Sequence, residues 1–297
     1  MTDTTDRMRV TSATALEHRM SQSQRRRDER HEHTYMDPPV SGSAVATSVL
    51  GSSARVNGYP MTATPRRLSD LLAAASASPP DPELLRQAVA DGHDPVLYEA
   101  YRDFLPPRPD SAAGTAEGWF ADLVIYQPGI LPNAEPVRSI GHWNSPGQLE
   151  IFQTLTGQIL MLTAGTTTDA SPHLQQQICR PGDFAVMPFG GWHLTYVLDG
   201  PATVLNVYAD HPSTLGHSSR HAALAPDLKY HAARPPARVC ARMASGGIEL
   251  DGATPQTTTA PRWLTAFLPE GSSLEDFYLT ADDRRLADLM TTAWRHR

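Results

Sequence analysis

With 297 residues, 40% of them hydrophobic, and a formal net charge of −7, the chain can bury a core in one or two domains and is too acidic to read as a nucleic-acid protein. No apolar run approaches the roughly 20 residues of a bilayer span. The N-terminus has no secretory apolar region, so cytoplasmic residence without a membrane partner is the expectation. Cys179 and Cys240 are the only cysteines, which favours two free thiols over a disulfide framework.

Residues 1–65 are rich in Ser, Thr, Arg and Asp and poor in large apolar side chains. Such a segment cannot bury enough surface to offset its ordering entropy, and a solvated tail is expected. The charge-mixed run from Arg25 to His33 belongs to it, His31 and His33 included. From Ser69 the pattern turns helical through Leu71, Leu72 and Ala75. After Pro79-Pro80, Asp81 and Pro82 suit the start of a second helix that Gly92 ends. Strands are expected at Val96–Tyr101, Trp119–Tyr126, Val137–His142, Leu149–Leu155, Gln158–Thr163, Gln175–Cys179, Phe184–Met187, Leu194–Val197 and Thr203–Tyr208, with two more near Val239 and Ile248. Many short strands separated by Gly/Pro turns argue for an all-β sandwich or jelly-roll barrel. Thr280 then caps an amphipathic helix carrying Leu286, Leu289, Met290, Ala293 and Trp294, a stripe suited to packing on the barrel or on a second subunit.

The chemistry concentrates between Gly141 and Val197. On a strand His142 and Asn144 face the same way, and Ser145-Pro146-Gly147 lets the chain turn back towards Glu150. His193 follows a second Gly/Pro turn. His142, Glu150 and His193 form a 2-His-1-carboxylate set, which suits one divalent Fe, Mn, Ni or Zn ion and leaves positions open for a ligand. Asn144 offers a neutral amide oxygen, either as a weaker fourth ligand or as a group that orients substrate.

These residues resemble the motifs of the cupin superfamily. Glu150 and Gly157 keep the glutamate-to-glycine interval of the first motif, with Asn144 in place of its second histidine. Gly182, Pro188, Gly190 and His193 meet the second motif fully. Arg66 to Asp70, Asp94 to Tyr101, Tyr208-Ala209-Asp210 and Ala260 to Trp263 extend the resemblance to the cupin-type (archaeal-type) glucose-6-phosphate isomerases. It implies a cupin domain over 66–263, with 1–65 as a tail and 264–297 as a helical extension.

The resemblance further implies a homodimer, a sugar or sugar-phosphate substrate, and metal-assisted hydrogen transfer between C1 and C2 through an enediolate. Glu150 matches the family's glutamate, a metal ligand also considered for proton transfer, and Tyr208 matches a tyrosine of its active cavity. Ser139 and Ile140 replace a Thr-Lys pair; Ser139 keeps a hydroxyl for phosphate while the cation is lost, with Arg138, Arg180 and Arg220 as conceivable substitutes. Phe152 replaces a tyrosine. His217 matches a family histidine, or else belongs to a polar loop with incidental histidines. Three readings stay open: an aldose–ketose isomerase, a divergent cupin that binds a sugar-like or other small ligand without that activity, and a non-haem Fe(II) oxygenase.

Overall fold

The structure is a computed structural model and describes residues 54–56, 59–61, 63–74, 79–108, 118–165, 173–187, 189–211, 239–244, 247–252 and 254–297. Expectations for residues 1–53, Ala75, Pro188, His217 and Arg220 lie outside the described residues.

In chain order the elements are β1 (Ala54–Val56), β2 (Tyr59–Met61), β3 (Ala63–Arg67), α1 (Leu68–Ala73), α2 (Pro82–Ala90), β4 (Val96–Arg108), β5 (Trp119–Tyr126) and β6 (His142–Trp143). They continue with β7 (Gln148–Ala164), β8 (Leu174–Cys179), β9 (Phe184–Met187), β10 (Trp192–Asp210), β11 (Val239–Ala244), β12 (Gly247–Gly252) and β13 (Gln256–Thr257). A 3-10 turn at Arg262–Ala266 precedes α3 (Leu274–Thr280) and α4 (Asp283–Arg295). Nine strands form one sheet in the order β13-β8-β7-β10-β5-β4-β3, with β6 beside β10 and β9 beside β7.

Two long strands organise this sheet. β7 and β10 pair antiparallel along nearly their whole length. The first half of β7 also carries β9 and its second half β8, while β10 carries β6 at its start and β5 at its end. Each long strand therefore belongs to both layers of a folded-over sheet, and the expected all-β fold holds.

The four short strands expected at Leu149–Leu155, Gln158–Thr163, Leu194–Val197 and Thr203–Tyr208 are in fact two continuous ones. Gly157 does not end β7; it bends it, at φ +71°. Opposite it, the register of β10 shifts repeatedly between Val197 and Val204. A bulge of this kind changes which parity faces inward. Before it Leu149, Ile151 and Leu155 face one outer core; after it Leu160, Leu162 and Ala164 face another. Glu150 and Phe152, and beyond the bend Ile159 and Met161, occupy the opposite face, which is the interior. The same switch on β10 turns His193 and Thr195 inward on one half, and Val204, Asn206 and Tyr208 inward on the other.

Three apolar clusters follow from this alternation. The interior one holds Tyr126, Phe152, Ile159, Met161 and Val197 and is continued by Leu68, Leu71 and Leu85 of α1 and α2. One outer face packs against Leu274, Phe277, Tyr278, Leu286, Leu289 and Met290 of α3 and α4. The other outer face packs against the β11–β12 hairpin through Val239 and Ala241.

Several expectations need correction. Val137–His142 is not a strand: Arg138 makes one isolated bridge to Tyr196, and pairing resumes only at His142. Its peptide groups are instead satisfied through Ser139 N to Thr195 O and Val197 N to Val137 O, each 2.8 Å. Thr280 does not cap the last helix but ends α3; Asp282 caps α4 by accepting from Arg285 N–H at 2.8 Å. Its apolar stripe packs on the barrel. Cys179 and Cys240 are free and buried, as expected.

Candidate metal centre

Local pairing assembles the cluster. His142 on β6 lies directly across from His193 on β10. The connection that follows is tied back when Asn144 N–H donates to Gly191 O at 2.8 Å and Gln148 N–H to Ser145 O at 3.0 Å. Ser145 Oγ donates to the Asp210 carboxylate and anchors the turn to the end of β10. Glu150 then enters on β7, opposite Tyr208 on one side and Met187 on the other. Gly141 permits the approach to β10: at φ +74°, a Cβ there would lie 3.1 Å from His193 O.

The ligand atoms of His142, Glu150 and His193 all fall within 4.8 Å of one another. His193 Nε2 is 3.2 Å from the His142 ring nitrogens, and the rings meet edge to face with centroids 4.3 Å apart. Two imidazole nitrogens bound at about 2.1 Å with an angle near ~100° would stand about 3.2 Å apart, so the spacing fits two cis ligands of one ion.

Glu150 is 4% exposed, and no basic side chain pairs with it among the described residues. Two amides hold it instead: Asn144 Nδ2 donates to Oε2 at 2.8 Å and Asn206 Nδ2 to Oε1 at 2.6 Å. A buried carboxylate without a counter-cation is costly. The Oδ1 atoms of both asparagines are also buried without a hydrogen-bond partner. Surplus negative potential and convergent nitrogens fit a divalent cation, held by His142, Glu150 and His193 with Asn144 alongside.

The other expected residues are placed as follows. Tyr208 shares the inward face with Glu150, and its ring lies 5.6 Å from that of Phe120. Phe152 packs 5.2 Å from the His193 ring. Ser139 accepts from Thr195 N–H at 3.0 Å and lies in the polar group around Tyr126. Of the arginines considered in place of the lost lysine, Arg138 is buried against Glu135, at 3.5 Å, and Tyr196, and Arg180 is exposed at a turn. Neither enters the cluster.

Sequence reasoning missed four residues here. Asn206 lies two positions before Tyr208, so strand alternation alone would have put it on the same face. Asp122 of β5 faces Asn206 of β10 and pairs with Arg102 of β4. Tyr126 is buried among Thr195, Ser139 and Glu150. Burial, reinforced by the Glu150 charge, pushes its phenol up to about 12, against the lowering effect of its hydrogen bonds to Thr195 and Ser139, so it stays a protonated donor.

A cleft of about 380 Å³ is lined in part by Thr163, the cross-strand neighbour of His193, and by Met187, the neighbour of Glu150, while His142, Glu150 and His193 themselves do not line it. Trp263, His296 and Arg297 also line it. The end of α4 is fixed where Trp294 stacks on His211 at 3.8 Å and meets Phe189 edge to face at 4.9 Å.

No protein-family model matches the chain, and no curated protein matches it. Solved structures overlap it in part. They include an oxalate oxidase in complex with the substrate analogue glycolate, at 19% identity and TM-score 0.26 over 32% of this chain and 43% of that one. A variant oxalate decarboxylase of B. subtilis aligns at 16% and 0.28 over 38% and 26%. KdgF of Halomonas sp. aligns at 14% and 0.27 over 39% and 80%. The chain thus spans less than half the length of the first two, and overlaps this partial carry no argument about activity. Among the described residues no helix is long and apolar enough to cross a membrane.

Proposed function

We propose that the chain is a metal-dependent aldose–ketose isomerase acting on a sugar or sugar phosphate, of the kind that interconverts glucose 6-phosphate and fructose 6-phosphate. The observation that carries this reading is the convergence of His142, Glu150 and His193 within 4.8 Å in the interior of the barrel. A divalent ion held there supplies Lewis-acid polarisation of two adjacent substrate oxygens.

The chain's own residues supply the rest. The Glu150 carboxylate, fixed by one amide N–H on each oxygen, is the base assigned to take the proton from C2 and return it to C1, while the accompanying proton moves from the C2 hydroxyl to the C1 oxygen. Tyr208, across from it on the inward face, donates a hydrogen bond to the substrate oxygen that gains charge. Tyr126 adds a protonated phenol beside Glu150. Ser139 and the half-exposed Arg102 are the groups proposed to meet a phosphate. A homodimer in the cytoplasm belongs to the same proposal.

The test is a coupled assay with fructose 6-phosphate, with and without a chelator. Turnover that disappears on chelation and returns with the metal supports the reading. Metal-loaded protein that turns over no hexose or pentose phosphate removes it. The second reading, a ligand-binding cupin without isomerase activity, is favoured by one observation: Asn144 spends its N–H on Glu150 where the motif has an imidazole.

A further inference from the structure

The two histidines of the cluster stand beside turns. His142 belongs to a strand of two residues, too short to hold a register by its own ladder, and after Asn144 comes Ser145-Pro146-Gly147. His193 lies at the start of β10, just after Phe189-Gly190-Gly191. Ligands next to turns are placed less precisely than ligands within long strands, and bonds to one ion tolerate only about 0.2 Å of error. The two turns are joined by Asn144 N–H to Gly191 O at 2.8 Å and by Gly190 N–H to Ser145 O at 3.1 Å, and His211 N–H donates to Gly147 O at 2.8 Å. One side chain of α4 reaches this assembly from outside. Trp294 stacks on His211, ring planes 8° apart and centroids at 3.8 Å, and meets Phe189 edge to face at 4.9 Å. Phe189 belongs to the turn before His193, and His211 holds the turn between Asn144 and Glu150. The indole is wedged against both, on a helix anchored to the outer core by Leu286, Leu289, Met290 and Ala293.

We propose that Trp294 is a positioning residue for the metal centre: by clamping Phe189 and His211 it keeps the turn before His193 and the turn between His142 and Glu150 at the spacing that one divalent ion requires. It acts through the two turns, not as a ligand. Coupling of this kind is reciprocal, so whatever factor in affinity the docked indole adds, the bound ion adds to the docking of the last turn of α4. The end of α4 and the ligand cluster are then one cooperative unit. The inference rests on the metal-binding part of the proposed function and is independent of the isomerase activity.

The test titrates the full chain with Mn(II) and follows the free ion by electron paramagnetic resonance. Trp294→Ala should weaken Mn(II) binding about tenfold or more. Trp294→Phe, which keeps an aromatic face and edge, should stay within about threefold of the wild type. Leu286→Ala is the control: it removes a buried side chain of the same helix roughly 12 Å before Trp294, and the folded variant should bind Mn(II) within about twofold of the wild type. Unchanged affinity in Trp294→Ala, or an equal loss in Leu286→Ala, overturns the proposal. A measurement on the wild type serves if Trp294→Ala does not fold. Mn(II) should slow amide hydrogen exchange in the last turn of α4, including His296 N–H, which donates to Ala293 O, by about tenfold; exchange there that ignores the ion refutes the coupling. A wild type that binds no Mn(II) removes the metal centre and this inference with it. A wild type that binds Mn(II) with neither effect removes the inference alone.

Discussion

At the scale of single residues, the site divides into what spacing reveals and what only pairing reveals. His142, Glu150 and His193 were legible because two motif intervals fixed them on either side of Gly/Pro turns, and the fold brings them within 4.8 Å. Asn206, Asp122 and Arg102 carry no motif, and their place follows from the cross-strand register of β4, β5 and β10. Asn144 touches the cluster through its N–H, so Asn144→His trades one hydrogen bond for an imidazole ligand. Affinity for Zn(II) should rise about tenfold or more in competition with a chelating dye; unchanged affinity would place position 144 outside the ligand set. Tyr126 predicts an alkaline limit. Its folded pKa lies above that of the unfolded chain, so its contribution is complete below pH 10 and is lost as pH rises from 10 towards about 12. Urea unfolding at stepped pH should show stability falling across that window by an amount on the order of 2 kcal/mol, and falling less in Tyr126→Phe.

At the scale of elements, the controlling feature is the bend that β7 and β10 share. The two halves of β7 and of β10 were visible as apolar alternation, but each half was read as a separate strand, so the change of parity across Gly157 could not be seen; β1, β2 and β3, which lie in or next to the stretch read as a tail, were not expected. That change is what lets His193 on one half and Asn206 and Tyr208 on the other point into one interior. A Cβ at Gly157 would stand 2.7 Å from Pro201 O and 2.8 Å from Ala202 Cα, on a backbone at φ +71°. Gly157→Ala should therefore destabilise by about 2–4 kcal/mol, strain and overlap together. Gly182 has φ +94° but nothing within 4 Å of its Cβ position, so Gly182→Ala should lose only about 1 kcal/mol. Chemical denaturation of the two variants side by side checks the contrast, and equal losses would mean that the close crossing at Gly157 is not the strained point.

At the scale of the whole molecule, the C-terminal helices complete the barrel. The amphipathic stripe of α4 was plain in the sequence and α3 was not; whether that stripe meets the barrel or a second subunit was left open, because the face it covers is built from β4, β5, β7, β9 and β10 together. Leu289 and Leu286 are buried in that face. Gln153 donates to Ser272 O and accepts from Leu274 N–H, at 2.9 and 2.8 Å, and Arg108 donates to Tyr278 O at 3.1 Å. Leu289→Ala should accordingly lower the stability of the whole chain by about 2–5 kcal/mol in a single unfolding transition. A separate early transition would show that the helices are an appendage.

The central claim is that two imidazoles and one carboxylate hold a divalent ion inside this sheet. Anomalous diffraction from crystals of the Mn(II)-loaded protein tests it most directly. The account predicts one strong peak at roughly 2.0–2.3 Å from nitrogens of His142 and His193 and from a Glu150 oxygen. Saturating Mn(II) with no peak there, or with ordered metal only elsewhere on the chain, would contradict it.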